Sequence, residues 1–330
     1  MTESCRILRS RETLTLLRSL RDVLILIHRS PDGDCIGGGY ALYYMLQQLG
    51  IRSRVLCADP IPAQYHDITD GVTFADFPPQ CVVTVDVADR KLLGDLPQEL
   101  AGGPVRLCID HHISNTRYAK NLCWDPNASA ACEILFHLIQ ADSTLRLTEQ
   151  LAVCLYIGMA TDTGCFRFSN AGADTFDAVA QIKRAFPDLP YARINREMFV
   201  LKSRGRIALD SRLMQNIRFS ADGRVALIYL PDAWMQEYSV TPAEVDSAAN
   251  LPMQVMGVEI GMICKQQPDG SFRVSLRAGE TADVSVIAKH FGGGGHVKAA
   301  GCTIADGEPE DVCRMLMDTA AAMLHRQEQP

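Results

Sequence analysis

Short apolar runs rich in β-branched residues alternate with segments of helical periodicity up to about residue 190. Such runs are typical of buried strands, and their alternation with helices predicts βαβ units around a parallel sheet. Four apolar segments end in acidic or imidazole side chains: residues 24–34 (LILIHRSPDGD), 81–89 (CVVTVDVAD), 105–112 (VRLCIDHH) and the helix-like 151–164 (LAVCLYIGMATDTG).

The polar side chains at these four ends are candidate metal ligands. Parallel sheets bind ligands at the carboxyl ends of their strands, so we expect the side chains to converge there. Four carboxylates and two imidazoles suit two divalent ions roughly 3.5–4 Å apart, and a ligand shell near neutrality can accept a phosphate. The candidate ligands are His28, Asp32, Asp34, Asp86, His111 and Asp162.

A structural interpretation competes for each residue taken alone. An aspartate after an apolar strand is more often a turn or helix-capping residue than a ligand. A histidine near apolar neighbours, such as His28 or His137, is usually structural. Capping does not explain His-x3-Asp-x-Asp after one strand together with Asp110-His111-His112 after another. The combination therefore favours a metal site.

The second half of the chain has a different pattern. Strands are predicted at 225–231, 254–266 and 271–278, with a hairpin turn at 268–270 (PDG), and helices at 242–250, 284–291 and 308–325. This mixture predicts a smaller α+β domain. Four consecutive glycines at 292–295 are entropically costly, and we expect their N–H groups to form a nest around an anion.

A basic stretch separates the two halves of a chain whose net charge is −7. It is either a solvated helix face or a positive surface that attracts a polyanion. Eight basic residues stand here against three acidic ones: Arg193, Arg196, Lys202, Arg204, Arg206, Arg212, Arg218 and Arg224.

Composition limits the classes of protein that remain. The 330 residues, 47% of them hydrophobic, can bury two ordinary cores. Without an apolar run of membrane-spanning length or a signal-peptide pattern, we expect a cytoplasmic protein without membrane contact. The twelve cysteines contain no C-x-x-C pair, which favours reduced structural thiols over disulfides or a zinc site.

Five motifs now resemble a known family. HRSPDGDCIGG, VTVDVAD, CIDHH and TDTG resemble the four motifs of the DHH phosphoesterases, and GGGGHVKAAG resembles the signature of their DHH-associated C-terminal domain. One departure is Gly38, where the family commonly has serine. The resemblance implies an α/β catalytic domain with a parallel sheet at 1–190, a helical basic linker at 191–215 and a smaller α+β substrate-binding domain at 216–330.

The resemblance also implies roles for single residues. Two groups of ligands share one bridging aspartate: His28 and Asp32 for one ion, Asp34, His111 and Asp162 for the other, and Asp86 as the bridge. His112 is expected to contact the scissile phosphate or assist proton transfer, while Asp110 orients His111. Ligation by oxygen and nitrogen without thiolate favours Mn²⁺, with Mg²⁺ or Co²⁺ as alternatives. Nucleotide binding is expected at Arg277, Gly293, Gly294, Gly295, His296 and Lys298.

The chain length and the C-terminal signature resemble those of one branch of the family. That branch hydrolyses short single-stranded RNA and 3'-phosphoadenosine 5'-phosphate (pAp). The small basic area agrees, because binding of long strands relies on many phosphate contacts. A phosphodiesterase for cyclic dinucleotides or pApA is the main alternative. A RecJ-like exonuclease, a manganese pyrophosphatase and a nucleotide-binding regulator without activity are less favoured. Homodimer formation is left open.

Overall fold

The computed structural model describes residues 5–96 and 103–327. In it, the apolar runs of the first half form a six-stranded sheet. Its order is β1-β6-β5-β4-β2-β3, and every neighbouring pair is parallel, as predicted. The strands are β1 Arg6–Leu8, β2 Val23–Leu26, β3 Ser53–Leu56, β4 Cys81–Val85, β5 Val105–Asp110 and β6 Asn121–Trp124.

Both faces of this sheet are buried, which explains why its strands are apolar at successive positions. In β2, Val23 and Ile25 belong to one apolar cluster, whereas Leu24 and Leu26 belong to another on the opposite face. Helices cover the first face, and α2 packs against α4 and α5. The helices of this half are α1 Ser10–Ser19, α2 Gly33–Gln48, α3 His66–Thr69, α4 Ala131–Gln140, α5 Glu149–Asp162, α6 Ala173–Ala185 and α7 Tyr191–Phe199.

The direction in which the chain crosses the sheet changes between β2 and β4. From β2 the chain moves outward to β3 and then returns to the other side of β2 as β4. Open parallel sheets bind their ligands at such a change of direction, so the strand order predicts a site at the carboxyl ends of β2 and β4.

The second unit contains a mixed sheet in the order β11-β12-β10-β9-β8-β7. Its one parallel pair is β8 with β9. The strands are β7 Arg218–Phe219, β8 Val225–Leu230, β9 Ile260–Gln266, β10 Phe272–Ala278, β11 Gly294–Gly295 and β12 Ala299–Ile304. The helices are α8 Arg204–Gln215, α9 Asp232–Glu237, α10 Pro242–Asp246, α11 Val284–His290 and α12 Pro309–Gln327.

The predicted α+β character of this unit is confirmed, but two of its predicted elements are too long. The strand expected at 254–266 begins only at Ile260, because a 3₁₀ turn at Pro252–Gln254 precedes it. The helix expected at 242–250 ends at Asp246 and continues as a 3₁₀ turn, Ser247–Asn250. The predicted hairpin turn is present, with the amide of Gln267 donating to the Ser271 carbonyl.

The chain divides into two compact units, Met1–Leu201 and Lys202–Pro330. This division falls inside the segment 191–215 that was predicted as a linker. The predicted domains also include 1–4, 97–102 and 328–330, which lie outside the described residues. Among the helices that the structure describes, none combines the length and apolar character needed to cross a membrane.

The basic stretch is largely engaged in ion pairs within each unit. In the first unit, Arg193 pairs with Asp67 and Glu197. In the second, five further basic side chains contact acidic ones: Lys202 and Arg206 with Asp210, Arg212 with Glu237, Arg218 with Glu310, and Arg224 with Glu259. Six of the eight charges are thus paired internally, which favours the structural interpretation of this stretch.

Candidate metal centre

The strand register aligns the first two candidate ligands. Leu26 of β2 is paired with Thr84 of β4, so His28 and Asp86 each lie two residues beyond the same point of the sheet. The His28 Nε2 atom lies 3.6 Å from Oδ2 of Asp86. His28 also lies 3.6 Å from Oδ1 of Asp32, measured from the same Nε2 atom.

Asp86 occupies the centre of the group. Its Oδ1 atom lies 3.5 Å from His111 Nε2, on the side of the carboxylate opposite His28. The residue is 2% exposed and has φ 58°, in the left-handed region. That conformation costs a non-glycine residue on the order of 1–3 kcal/mol, so the surrounding structure must impose it. The Asp86 amide donates to the Ile109 carbonyl at 2.9 Å, which fixes the turn.

Asp32 and Asp34 are capping residues as well as candidate ligands. Oδ1 of Asp32 accepts hydrogen bonds from the amides of Asp34 and Cys35 and caps α2. Asp34 caps a different helix: its carboxylate accepts from the amides of Ala131 at 2.6 Å and Cys132 at 2.9 Å, at the start of α4. The capping and metal-site interpretations are therefore compatible.

Helix α5 brings the last ligand to the group. Oδ2 of Asp162, the final residue of α5, lies 3.3 Å from His111 Nε2. The other ring nitrogen of His111, Nδ1, lies 3.1 Å from the Ala128 carbonyl oxygen, which turns Nε2 towards Asp86 and Asp162. Asp34, His111 and Asp162 each offer one ligand atom, and these atoms lie within 4.8 Å of one another.

Two buried atoms at the centre, Asp86 Oδ1 and His111 Nε2, have no hydrogen-bond partner among the residues that the structure describes. A buried polar atom without a partner normally costs about 1–3 kcal/mol. Both atoms face the middle of the group, and both are of the type that binds divalent cations. The residues therefore fit a metal centre.

The repulsion between the carboxylates also supports a metal centre. Burial, and then the negative charge of Asp86, raises the pKa of Asp34 to about 7. Burial, and then the charge of Asp34, raises the pKa of Asp162 well above its usual range. Four carboxylates this close need either protons or cations, and the positive charge of two divalent ions would meet that need.

The structure corrects the role predicted for Asp110. Its carboxylate contacts His112, with 2.8 Å between Oδ1 and the Nδ1 atom of that ring, rather than orienting His111. In an extended chain side chains two residues apart lie on the same side, whereas adjacent ones do not. Asn115 was not predicted; its Nδ2 donates to the Asp110 Oδ2 atom at 2.5 Å and holds the carboxylate in place.

The surroundings of His112, beside the group, favour its protonated form. Burial lowers its pKa, but the hydrogen bond with Asp110 and the negative charges of Asp86 and Asp110 outweigh burial and raise the pKa to about 9. The ring lies 3.3 Å from Asp86, measured from Nδ1 to Oδ1. A protonated imidazole in this position can donate to a phosphate oxygen or a leaving group.

Cys35 was also missed by the sequence analysis, which expected a ligand set without sulfur. Its Sγ atom, a His28 ring nitrogen and an Asp32 carboxylate oxygen lie within 4.8 Å of one another. Asp32 is the N-cap of α2 and Cys35 is the third residue of that helix. These two positions place side chains next to each other at a helix start, so the spacing Asp-x-x-Cys was the available signal.

Gly38, the departure from the family pattern, has a packing explanation. A Cβ atom at this position would lie 2.6 Å from Cγ1 of Val85, the last residue of β4. Glycine therefore allows α2 to approach the strand that leads to Asp86.

A further group of ligand-type residues, His66, Asp67 and Glu197, lies elsewhere in the first unit. Arg193 already supplies the positive charge there, with Nη1 3.1 Å from Asp67 Oδ2 and 3.0 Å from Glu197 Oε2. We therefore interpret this group as an ion-pair network that joins α3 to α7.

In the second unit, two of the four glycine amides that were expected to form an anion nest donate within the fold. The amides of Gly292 and Gly293 donate to the carbonyls of Lys289 and Ala288 and close the end of α11. Gly294 and Gly295 form β11, which pairs with β12. A Cβ atom on Gly293 would lie 2.2 Å from the Gly301 carbonyl oxygen. Close packing of a hairpin against a helix end explains these glycines.

The other predicted substrate residues of this unit lie around the same hairpin. The His296 amide donates to the Ala299 carbonyl in the turn, and its side chain is exposed. Arg277 is paired with Ala299 across β10 and β12, and its Nε atom donates to Oδ1 of Asn250. Lys298 uses its three donors internally, on the carbonyls of Gly279, Glu280 and Ala282, so it organises that loop.

Two family models match the chain. The model of the DHH family, N-terminal domain, matches residues 22–159, and that of the DHHA1 domain matches residues 222–324. Both matches confirm the resemblance found in the motifs.

Particular relatives align with nearly the whole chain. A protein of Streptococcus mutans named "Probable bifunctional oligoribonuclease and PAP phosphatase NrnA" is 28% identical over 311 residues, 92% of this chain and 96% of that protein. A protein of Thermus thermophilus named "Bifunctional oligoribonuclease and PAP phosphatase NrnA" is 27% identical over 296 residues, 86% of this chain and 84% of that protein.

A solved structure shares the fold. The crystal structure of an exopolyphosphatase-related protein from Bacteroides fragilis superposes with a TM-score of 0.86 at 20% identity. The superposition covers 97% of each chain. The predicted α/β architecture with a second sheet domain is thus confirmed.

Proposed function

We propose that this protein is a metal-dependent phosphoesterase that hydrolyses short oligoribonucleotides to mononucleotides and pAp to AMP. The observation that carries the proposal is the central pair of buried atoms without hydrogen-bond partners, Asp86 Oδ1 and His111 Nε2, within a group of four carboxylates. The choice of substrate is supported by the names of the relatives from S. mutans and T. thermophilus, which align over most of their length.

Two groups of ligands would hold the ions, with one aspartate between them. His28 and Asp32 would bind the first ion, Asp34, His111 and Asp162 the second, and Asp86, which lies between His28 and His111, would be shared by both. Mn²⁺ is the proposed metal, with Mg²⁺ or Co²⁺ as alternatives. Bound divalent ions supply a nucleophile from water at neutral pH and stabilise charge at phosphorus.

The protein's own side chains would then position and protonate the substrate. His112 would donate from Nε2 to a phosphate oxygen or to the leaving oxygen, because its Nδ1 atom is engaged with Asp110. Asp110, held by Asn115, would keep the imidazole protonated and correctly oriented. In this proposal the two residues would assist proton transfer rather than serve as metal ligands.

Recognition of the nucleotide would fall to the second unit. Arg277 and His296 are proposed to contact the substrate, with Gly293, Gly294 and Gly295 forming the backbone of the hairpin that carries the imidazole. Lys298 would contribute indirectly, through the loop whose carbonyls it binds. Arginine suits this task because its guanidinium donates two parallel hydrogen bonds to a phosphate.

The test is a comparison of kcat/KM across substrates. Purified protein with Mn²⁺ is offered pAp, pApA, cyclic di-AMP and RNA from dinucleotides to 24-mers. The proposal predicts the highest values for pAp and the shortest RNAs and a decline with length. Highest turnover on cyclic di-AMP would instead favour the cyclic-dinucleotide alternative, and undiminished turnover of 24-mers would contradict the proposed preference.

A further inference from the structure

The two ligand groups of the proposed metal centre differ in chemistry. The group Asp34, His111 and Asp162 offers only oxygen and nitrogen. The group His28, Asp32 and Cys35 adds a sulfur atom. Hard ions such as Mn²⁺ and Mg²⁺ prefer oxygen ligands, whereas thiolate selects thiophilic ions such as zinc and cadmium.

Local structure aims the Cys35 thiol at the first group. Its amide donates to Oδ1 of Asp32 at 3.0 Å, and its Sγ atom lies 3.5 Å from the Asp32 carbonyl oxygen. The side chain is fully buried, so it has no freedom to turn towards solvent. A ring nitrogen of His28 lies within 4.8 Å of the same sulfur.

The spacing of these ligand atoms fits a small tetrahedral ion. Ligand atoms about 2.0–2.3 Å from a tetrahedral ion lie about 3.3–3.8 Å from one another. The His28 Nε2 atom is 3.6 Å from Oδ1 of Asp32 and also 3.6 Å from Oδ2 of Asp86. Cys35 Sγ lies within 4.8 Å of the ligand atoms of His28 and Asp32, so this group offers one nitrogen, one oxygen and one sulfur, which are donor types found in zinc sites.

We propose that Cys35 is a ligand of the first ion and makes that half of the centre selective for thiophilic divalent cations. The inference rests on the proposed metal centre. On binding, the cation displaces the Sγ proton to solvent and a sulfur–metal bond forms, without any change in oxidation state. The second half of the centre keeps its preference for hard ions, so the two halves take different metals when both kinds are offered.

Cobalt(II) is the probe for this proposal, because a thiolate bound to Co²⁺ produces a charge-transfer band in the near ultraviolet. Metal-free protein is titrated with Co²⁺ under reducing, anaerobic conditions, and the bound cobalt is counted in parallel. The proposal predicts the band in the wild-type protein and its loss in both Cys35→Ala and Cys35→Ser. Cys57→Ala is the matched control: its half-buried thiol contacts the His28 carbonyl oxygen at 3.2 Å, and it belongs to none of the ligand groups found among the described residues.

The affinities for Cd²⁺ and Mn²⁺ give a second measurement. Replacing Cys35 by alanine should lower the affinity for Cd²⁺ by at least about 100-fold, since even partners outside the coordination sphere contribute 10–100-fold. Mn²⁺ affinity of the second group should be nearly unchanged, which also verifies that the variant is folded.

Each outcome has one meaning. Two bound Co²⁺ ions without the band, or a band that persists in Cys35→Ala, overturns the inference and leaves the metal centre intact. Failure of the wild-type protein to bind cobalt overturns the inference and the metal centre together. The band with its loss only in the Cys35 variants supports both.

Discussion

The metal centre of the first unit and the glycine hairpin of the second differ in how their polar atoms are satisfied. In the centre, Asp86 Oδ1 and His111 Nε2 are buried without hydrogen-bond partners. At the hairpin, Lys298 and the amides of Gly292 and Gly293 bind groups of their own unit. The first region thus offers free ligand atoms for the proposed cations, whereas these groups of the second are already used within their own unit. Changes in the first should therefore abolish turnover, and changes in the second should only weaken substrate binding.

The largest effect is expected for Asp86→Asn. The change removes the charge shared by both proposed ions and should lower activity by orders of magnitude while folding survives. Asp125→Asn is the matched control, because this exposed aspartate also follows a strand of the same sheet and belongs to none of the ligand groups found in the described ranges. Full activity in the Asp86 variant would remove the basis for a bridged centre.

His112→Ala tests whether proton transfer is separate from metal binding. Turnover should fall about 10²- to 10⁴-fold, the range typical of a lost general acid or base, while metal stoichiometry stays the same. His111→Ala should instead weaken one ion, because its Nε2 atom faces Asp86 and Asp162. Equal loss of metal in both variants would show that the two imidazoles have the same role.

A smaller effect is expected for Arg277→Ala in the second unit. Losing a charge-assisted hydrogen bond costs about 1.5–3 kcal/mol, so kcat/KM for pAp or an RNA dinucleotide should fall roughly 10- to 150-fold. Hydrolysis of bis-p-nitrophenyl phosphate, which has no nucleoside, should be almost unaffected. Arg273→Ala, four residues away on β10, is the control. An equal loss with both substrates would assign Arg277 to the catalytic chemistry.

The smallest effect concerns pH. The pKa of Asp34 is raised from 3.8 to about 7, so protonation of this carboxyl stabilises the metal-free folded protein. That contribution is fully present below pH 3.8 and is lost as the pH rises through about 7. A binding cation must displace this proton and that of Asp162, whose pKa is also raised, so metal affinity should rise with pH up to and beyond about 7. Titrations followed by calorimetry would measure this, and an affinity independent of pH below 7 would contradict it.

The metal centre and the glycine hairpin also differ in how much of each could be predicted from the sequence. Asp86 and His111 follow strands of a parallel sheet, and strand ends converge by a general rule, so their meeting was predictable. The contact of Asp110 with His112 follows from the two-residue period of strands, although we assigned Asp110 to His111. Asn115 gave no signal, because it reaches Asp110 through a loop whose course depends on tertiary packing.

The contacts of the glycines in the second unit could not be predicted for a related reason. Residues 292–295 have the composition of an anion nest, but composition does not reveal where backbone amides donate. The amides of Gly292 and Gly293 are used by the end of α11, and Gly293 lies against the Gly301 carbonyl of a neighbouring strand. Both contacts depend on how the hairpin folds back on the helix, which no local pattern specifies.

The most direct test of the central claim is a count of bound Mn²⁺ by native mass spectrometry of wild-type protein and Asp86→Asn. The account predicts two ions on the wild-type chain, as expected for a bridged pair of sites, and a loss of bound metal in the variant. One ion or none on the wild-type chain, or two still bound after the bridging charge is removed, would contradict it.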